Sequence, residues 1–495
     1  MTNIKFLLNK YLFTLRNSVN KLASTTSITI YPIVVILSFI ISLILTLSVP
    51  VYMAEPDDWT YYFAVQNFAQ GQFTIDNQTH LLQVNEARSQ GGQAIQYWNI
   101  GYNKWALEKA PGYVFYLVPF ELMGIPRGGN ILLSLGMSVI TFLLLKRLKD
   151  EKAAMIGTLL MLFTPMSLLM VNRAYMDTYA SQAFLVMGGG LYIFYHLEQK
   201  KWSPEKRGIL LFIALFLASW SVVTRYTNLT VVAVLGLHFV IVKLLTWRKG
   251  EKPGIKSEIL PVALAVGLPA LAILLYNYFV FGSPLSYGYQ YTRGIIKFAF
   301  QYIGQVNQSG QSIPLQIILN NLTTAPRPLL VGFPLLIIGV PCFMTIIFYK
   351  FRSLFTRVKQ EITSDIGIEL SWNILLILIG WFIGVFFPYL TYEWTANNAG
   401  GIFFHFARFY LPGLFPVAVV CALFMSRFQF KLYGPIIFIL IAFGSIIFPQ
   451  IVTHLNVLPG WLINGKRGVL PHRRPGGFPG NNPPLLPPRN LPRIN

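Results

Sequence analysis

Apolar residues along this chain are gathered into long blocks, separated by short polar stretches that are mostly basic. Blocks long enough to cross a bilayer recur at about 28–53, 129–146, 153–171, 179–197, 207–223 and 227–245. They continue at about 259–281, 328–349, 370–392, 409–426 and 433–453. Each is near the ~20 residues that a spanning helix needs. A further block, Gly112 to Gly124, is shorter and carries Pro119 and Glu121, which predicts an interfacial or re-entrant helix rather than a crossing. The pattern predicts an all-α, polytopic integral membrane protein of about 11 transmembrane helices, with interfacial helices in its first external loop.

Charge orients these blocks. With the N-terminus inside and strict alternation, the inside segments hold 23 Lys and Arg residues, and the outside segments before the tail hold ten. That asymmetry follows the positive-inside bias. Counting Gly112–Gly124 as a crossing would invert every later loop and destroy it. The chain then divides into a cytoplasmic segment 1–27, a transmembrane domain 28–457 with external loops 54–128 and 282–327, and a tail 458–495. The first apolar block is too long for a signal-peptide core and reads as a retained anchor. The tail is rich in Pro, Gly, Asn and Arg and is expected to be disordered.

Composition agrees: 54% of residues are hydrophobic and 12% are charged, about half the charged share of an ordinary soluble domain. The net charge of +21 is spread through the loops instead of forming a nucleic-acid face, so a nucleic-acid partner is excluded. Two cysteines, Cys342 and Cys421, both inside apolar runs, exclude a disulfide framework.

Ionisable groups at the outer boundary are the candidates for chemistry, because such charges are costly unless they pair or work. Loop 54–128 holds seven of the 18 acidic residues. Asp57 and Asp58 follow the first span directly and could serve as a general base or a metal ligand; the competing reading is helix-capping loop acids. Lys109 precedes the short helix and suits a lipid phosphate, or simple snorkelling. Arg173 and Asp177 lie four residues apart in one tight connection, as a local ion pair would. Arg225 and Arg408 are isolated outside cations, against the charge bias, and each calls for an anionic partner. His405 stands beside Arg408, and Tyr62 follows the acidic pair. No nucleotide-phosphate loop, Ser/His/Asp signature or HExxH occurs.

The order of these segments resembles the GT-C membrane glycosyltransferases, in the branch of protein O-mannosyltransferases and the lipid A aminoarabinose transferase. Asp57-Asp58 stands where that branch has Asp-Glu, and EKAPGYVFYLVPFELMG is similar to its Lys-Pro-Pro juxtamembrane helix, with Ala110 replacing the first Pro. NRAYMDTYASQ, YNYFVFGSPLSYGY and FARFYLP follow in the same order, over about 28–450. The resemblance implies inverting transfer of a sugar from a polyprenyl-phosphate-linked donor to a protein, lipid or glycan acceptor at the external face. It implies Asp57 or Asp58 as base, Asp177 as orienting acid with Arg173 as its partner, and Lys109, Arg225 and Arg408 as phosphate-binding cations. His405 and Tyr62 would support them. The resemblance makes no cofactor certain, and whether a divalent metal is needed is left open. A transporter or flippase of lipid-linked sugars is the alternative, although no internal repeat is evident; a non-catalytic scaffold for surface-polymer assembly is a third reading.

Overall fold

The computed structural model describes residues 30–48, 53, 56–90, 92, 94–198, 201–250, 254–292, 297–307, 309–355, 370–393, 395 and 407–427. The 1–27 segment, the block at 433–453, the tail and His405 lie outside the described residues.

The first apolar block forms α1 (Ile30–Ser48). Loop 54–128 then folds into α2 (Pro56–Ala69), α3 (Asn77–Ser89) and α4 (Gly112–Leu122). It also contains a small sheet that the hydrophobic pattern did not disclose. Strands β1 (Thr74–Ile75), β2 (Tyr97–Gly101) and β3 (Lys104–Leu107) pair antiparallel in the order β1-β3-β2. Asn103, with φ of 50°, turns the chain between β2 and β3. Strands this short carry too few residues for a period-two signal.

The helices that follow are α5 (Pro126–Leu148), α6 (Glu151–Phe163), α7 (Pro165–Asn172), α8 (Asp177–Glu198), α9 (Pro204–Thr224) and α10 (Leu229–Arg248). After a π-helical turn Ile255–Ile259 come α11 (Leu260–Phe281), α12 (Ile313–Thr324), α13 (Pro326–Gly332) and α14 (Leu336–Phe355). The last described are α15 (Trp372–Leu390) and α16 (Leu414–Met425). Every expected block from 28–53 to 409–426 coincides with helix. Six described helices are long and apolar enough to cross a membrane, or seven if the bent α6–α7 pair is one span. Eleven crossings are therefore not established by length and composition. Helix α4, eleven residues long, reaches roughly 16 Å and falls short of a ~30 Å hydrocarbon core.

The expected single span 153–171 is broken instead. Between α6 and α7 the axis turns by 57°. Thr164 is extended (φ −61°, ψ 132°), and Pro165 has no N–H to return to the preceding turn. The apolar run passes through this point without interruption, which hides the break.

Helix α8 covers the expected block 179–197. It lies at the centre, against α5 and α9, and is buried on nearly every side. Peripheral helices instead present large apolar residues outward, among them Ile36, Leu132, Leu143, Ile209, Leu237 and Phe387, as lipid contact requires. At one end of the bundle a basic belt is neutralised by Lys146–Glu151, Arg147–Glu198, Lys201–Glu198 and Lys243–Glu258 pairs. The opposite helix ends carry Asp57, Asp177, Arg225 and Arg408. Cys342 and Cys421 are both buried free thiols.

Candidate active site

The first turn of α2 brings Asp57 and Asp58 to the bundle, and adjacent helical positions send them to different surroundings. Asp58 is wholly buried. Arg173, at the end of α7, grips it with two donors: Nε reaches Oδ1 at 3.1 Å, and Nη2 contacts Oδ2. Arg173 itself is 1% exposed. The expected Arg173–Asp177 pair is thus corrected. The break at Pro165 redirects α7 toward α2, and Arg173 takes the partner it meets there, while Asp177 begins α8 facing elsewhere.

Asp57 sits between two cations. Lys109 Nζ is 3.1 Å from Oδ1, and Arg408 Nη2 is 2.9 Å from Oδ2. The Asp57 side chain retains 14% of its exposure, whereas that of Asp58 retains none. Burial raises the Asp57 carboxyl, but Lys109 and Arg408 outweigh it and hold the group well below the usual carboxylate range. Burial disfavours the charge on Lys109, yet Asp57, Tyr289, Glu108 and Asp177 together more than offset it and push the ammonium well up. Both groups are therefore charged throughout the physiological range.

Asp177 is the first residue of α8. Its carboxylate lies 3.7 Å from Arg225 Nη1, farther than a direct hydrogen bond. Arg225 donates instead to Thr178 Oγ1 at 2.8 Å and to the Tyr389 hydroxyl at 3.2 Å. The ring of Phe409 separates the two guanidiniums, 5.0 Å from that of Arg225 and 5.2 Å from that of Arg408. Arg408 also reaches Met176 Sδ at 3.5 Å.

Two close approaches set Lys109 in place. Gly112, three residues on, lies against the α9 terminus so tightly that a Cβ would fall 2.6 Å from the Val223 carbonyl. Gly288 lies equally close to β3 and its exit: a Cβ there would be 2.4 Å from the Leu107 carbonyl oxygen. The short turn Gly288–Tyr291 consequently lays Tyr289 over Lys109, with Nζ 5.5 Å from the ring centroid. Glu108 supports the same lysine at 3.3 Å and accepts from the indole N–H of Trp98 on β2.

The structure thus collects Asp57, Lys109, Asp177, Arg225 and Arg408 at one end of the bundle, and ties Asp58 and Arg173 beneath them. Tyr62 does not join the charges. Its ring packs edge-on against Tyr175 at 5.1 Å, and Tyr175 donates to Glu121. Tyr289, Tyr389, Thr178 and Phe409 were missed by sequence reasoning. Tyr289 lay within a segment already singled out, but nothing in a single sequence distinguishes an aromatic that covers a lysine from one that faces lipid. Among the described residues, no group of three or more His, Cys, Asp or Glu side chains converges as a metal site.

Fold and site together define a polytopic helical membrane protein with a charged, semi-enclosed centre at one end of its helices. No family model matches the chain, and no curated protein matches it. Among solved structures it is similar to ArnT from Cupriavidus metallidurans bound to undecaprenyl phosphate, with 14% identity over 86% of this chain and a TM-score of 0.49. It is also similar to the oligosaccharyltransferase of Archaeoglobus fulgidus in the apo form, with 12% identity over 88% of the chain and a TM-score of 0.48. The archaeal oligosaccharyltransferase AglB from Archaeoglobus fulgidus, in complex with an inhibitory peptide and a dolichol-phosphate, gives 14% identity over 85% of the chain and a TM-score of 0.42. The chain spans 64% of the length of the first of these, and 55% of each of the other two.

Proposed function

We propose that this protein is a membrane glycosyltransferase that moves a sugar from a polyprenyl-phosphate-linked donor to an acceptor hydroxyl, inverting the anomeric centre, at the external face. The observation that carries this reading is Asp57 held between Lys109 and Arg408 while its neighbour Asp58 is locked by Arg173. A part-exposed carboxylate beside cations that a phosphate would compete for is what such a transfer requires.

Asp57 takes the role of base. It accepts the proton of the acceptor hydroxyl as that oxygen bonds to the anomeric carbon; the bond from that carbon to the phosphate oxygen breaks, and its electron pair leaves with the polyprenyl phosphate. The leaving group is already stable as an anion, so Lys109, Arg225 and Arg408 need only neutralise it. In the resting arrangement Lys109 and Arg408 make Asp57 a weak base. A donor phosphate that draws these cations away strengthens it, so the base becomes competent when the donor is present. Asp177 orients acceptor or donor from the head of α8, and Asp58 with Arg173 fixes the first turn of α2.

The test is to incubate the purified protein, reconstituted into sealed liposomes, with radiolabelled polyprenyl-phosphate sugars and candidate acceptors. Transfer with inverted configuration is expected. Donor bound and carried across the membrane without transfer to any acceptor would point to the transporter instead.

A further inference from the structure

Helix α2 places one more group in this site that the transfer chemistry leaves unused. Tyr61 stands one helical turn beyond Asp57, so both project from the same face. It is wholly buried. Its ring meets Tyr113 edge-on, with centroids 5.5 Å apart. Tyr113 is in turn fixed through its own hydroxyl, to Asn130 at 3.1 Å and to the Ala174 carbonyl. The ring of Tyr61 is therefore held, and its hydroxyl with it.

That hydroxyl has no hydrogen-bond partner among the described residues. A buried donor without an acceptor is unfavourable, and a phenylalanine would fill the same space without it. The groups within electrostatic reach of the hydroxyl are Asp177, Tyr289, Asp57 and Arg225. Asp57 is already engaged by Lys109 and Arg408, and Asp177 faces Arg225 across 3.7 Å. An oxygen from outside that inserts into that loose pair would meet the Arg225 guanidinium, with the phenol within electrostatic reach. Burial pushes the phenol well above its ordinary range, so it remains a neutral donor and adds no charge.

We propose that the Tyr61 hydroxyl donates a hydrogen bond to a phosphate oxygen of the lipid-linked donor, which makes Tyr61 a ligand-binding residue of this site. The inference rests on the proposed glycosyl transfer from a polyprenyl-phosphate donor. Its experiment measures binding of farnesyl phosphate, with farnesol as the control that lacks the phosphate, to the full-length protein in nanodiscs. Tyr61→Phe should weaken farnesyl phosphate about tenfold, the scale of one neutral donor on a charged acceptor, and leave farnesol unchanged. Its melting temperature without ligand should equal or exceed that of the parent, because an orphaned polar group has been removed. Unchanged farnesyl phosphate affinity overturns the proposal, as does a fall in unliganded stability together with affinity, which marks a structural role. Lys109→Ala separates the two readings. If it weakens farnesyl phosphate while Tyr61→Phe does not, only the tyrosine assignment fails. If the parent protein binds farnesyl phosphate no better than farnesol, the donor reading fails and takes the tyrosine with it.

Discussion

Successive residues of a helix point about 100° apart, and on α2 that rotation gives two neighbouring carboxylates unlike environments. Asp58 turns inward to a guanidinium fork, and Asp57 turns to the mouth of the site. Asp57→Asn should therefore abolish transfer, by the 10²–10⁴-fold that a positioned base typically contributes, and also lose the stabilisation of its pairing with Lys109 and Arg408. Asp58→Asn removes half of a buried ion pair and should destabilise the fold by about 3–5 kcal/mol. Transfer kinetics and thermal unfolding measured on both variants distinguish them; a stable Asp58→Asn protein with Asp57-like loss of turnover would reverse the assignment. Arg173→Lys should not restore stability, since a point charge cannot reproduce the fork. The pH dependence follows from the same contacts. Asp57 is depressed in the folded protein, so its pairing stabilises above the ordinary carboxylate range and is lost only as pH falls through the lowered value. No acidic limb from Asp57 is expected in kcat/KM between about pH 5 and 8. In Lys109→Met the burial contribution loses its main opponent, and an acidic limb should move up toward neutrality; a profile of unchanged shape would show that Lys109 does not set the basicity of Asp57.

At the scale of elements, what could be read from the chain was whatever depends on apolar length and on isolated charge. The helices over the expected blocks and the short α4 were legible because a membrane demands long apolar runs. Arg225 and Arg408 were legible because each defies the charge bias, and Lys109 because it stands just ahead of the short interfacial segment. The break at Thr164–Pro165 was not, since proline is common in membrane helices and the run continues past it. Without that break Arg173 could be assigned only to its sequence neighbour Asp177, and the error followed. The sheet and the Tyr289 turn were hidden for a related reason: they exist through contacts between loop 54–128 and residues near 288, which no local pattern encodes. Gly112 is the clearest such contact, because α4 meets the end of α9 there with no room for a side chain. Gly112→Ala should displace α4, loosen Lys109 from Asp57 and lower stability by about 1–3 kcal/mol, the usual range for overpacking. Thermal unfolding with and without farnesyl phosphate checks this, and an unchanged stability and affinity would show that the approach tolerates a methyl group.

For the whole molecule, two belts of charge at opposite ends of the helices determine how it sits in a bilayer. One belt is basic in excess and pairs Lys146, Arg147, Lys201 and Lys243 with glutamates; the other holds the candidate site. The positive-inside bias acts on short loops near helix ends, so we propose that the lysine-rich belt faces the cytoplasm and the site the outside. The 23-to-10 partition of Lys and Arg over the inside and outside segments argues the same way. Single cysteines at Gln78, in α3 of the first loop, and at Glu251, between α10 and α11, should then react from opposite sides. Cys342 and Cys421 are buried, and replacing both with alanine gives a clean background. A membrane-impermeant maleimide applied to intact cells should label position 78 and leave position 251 unlabelled until the membrane is opened. Labelling of 251 alone would invert the molecule and put the site in the cytoplasm, where nucleotide-linked donors compete with lipid-linked ones. Labelling of both from outside would mean an odd number of crossings missing or added between them, which would move α4 or the broken α6–α7 pair into a different role and detach Lys109 or Arg173 from the face that holds Asp57.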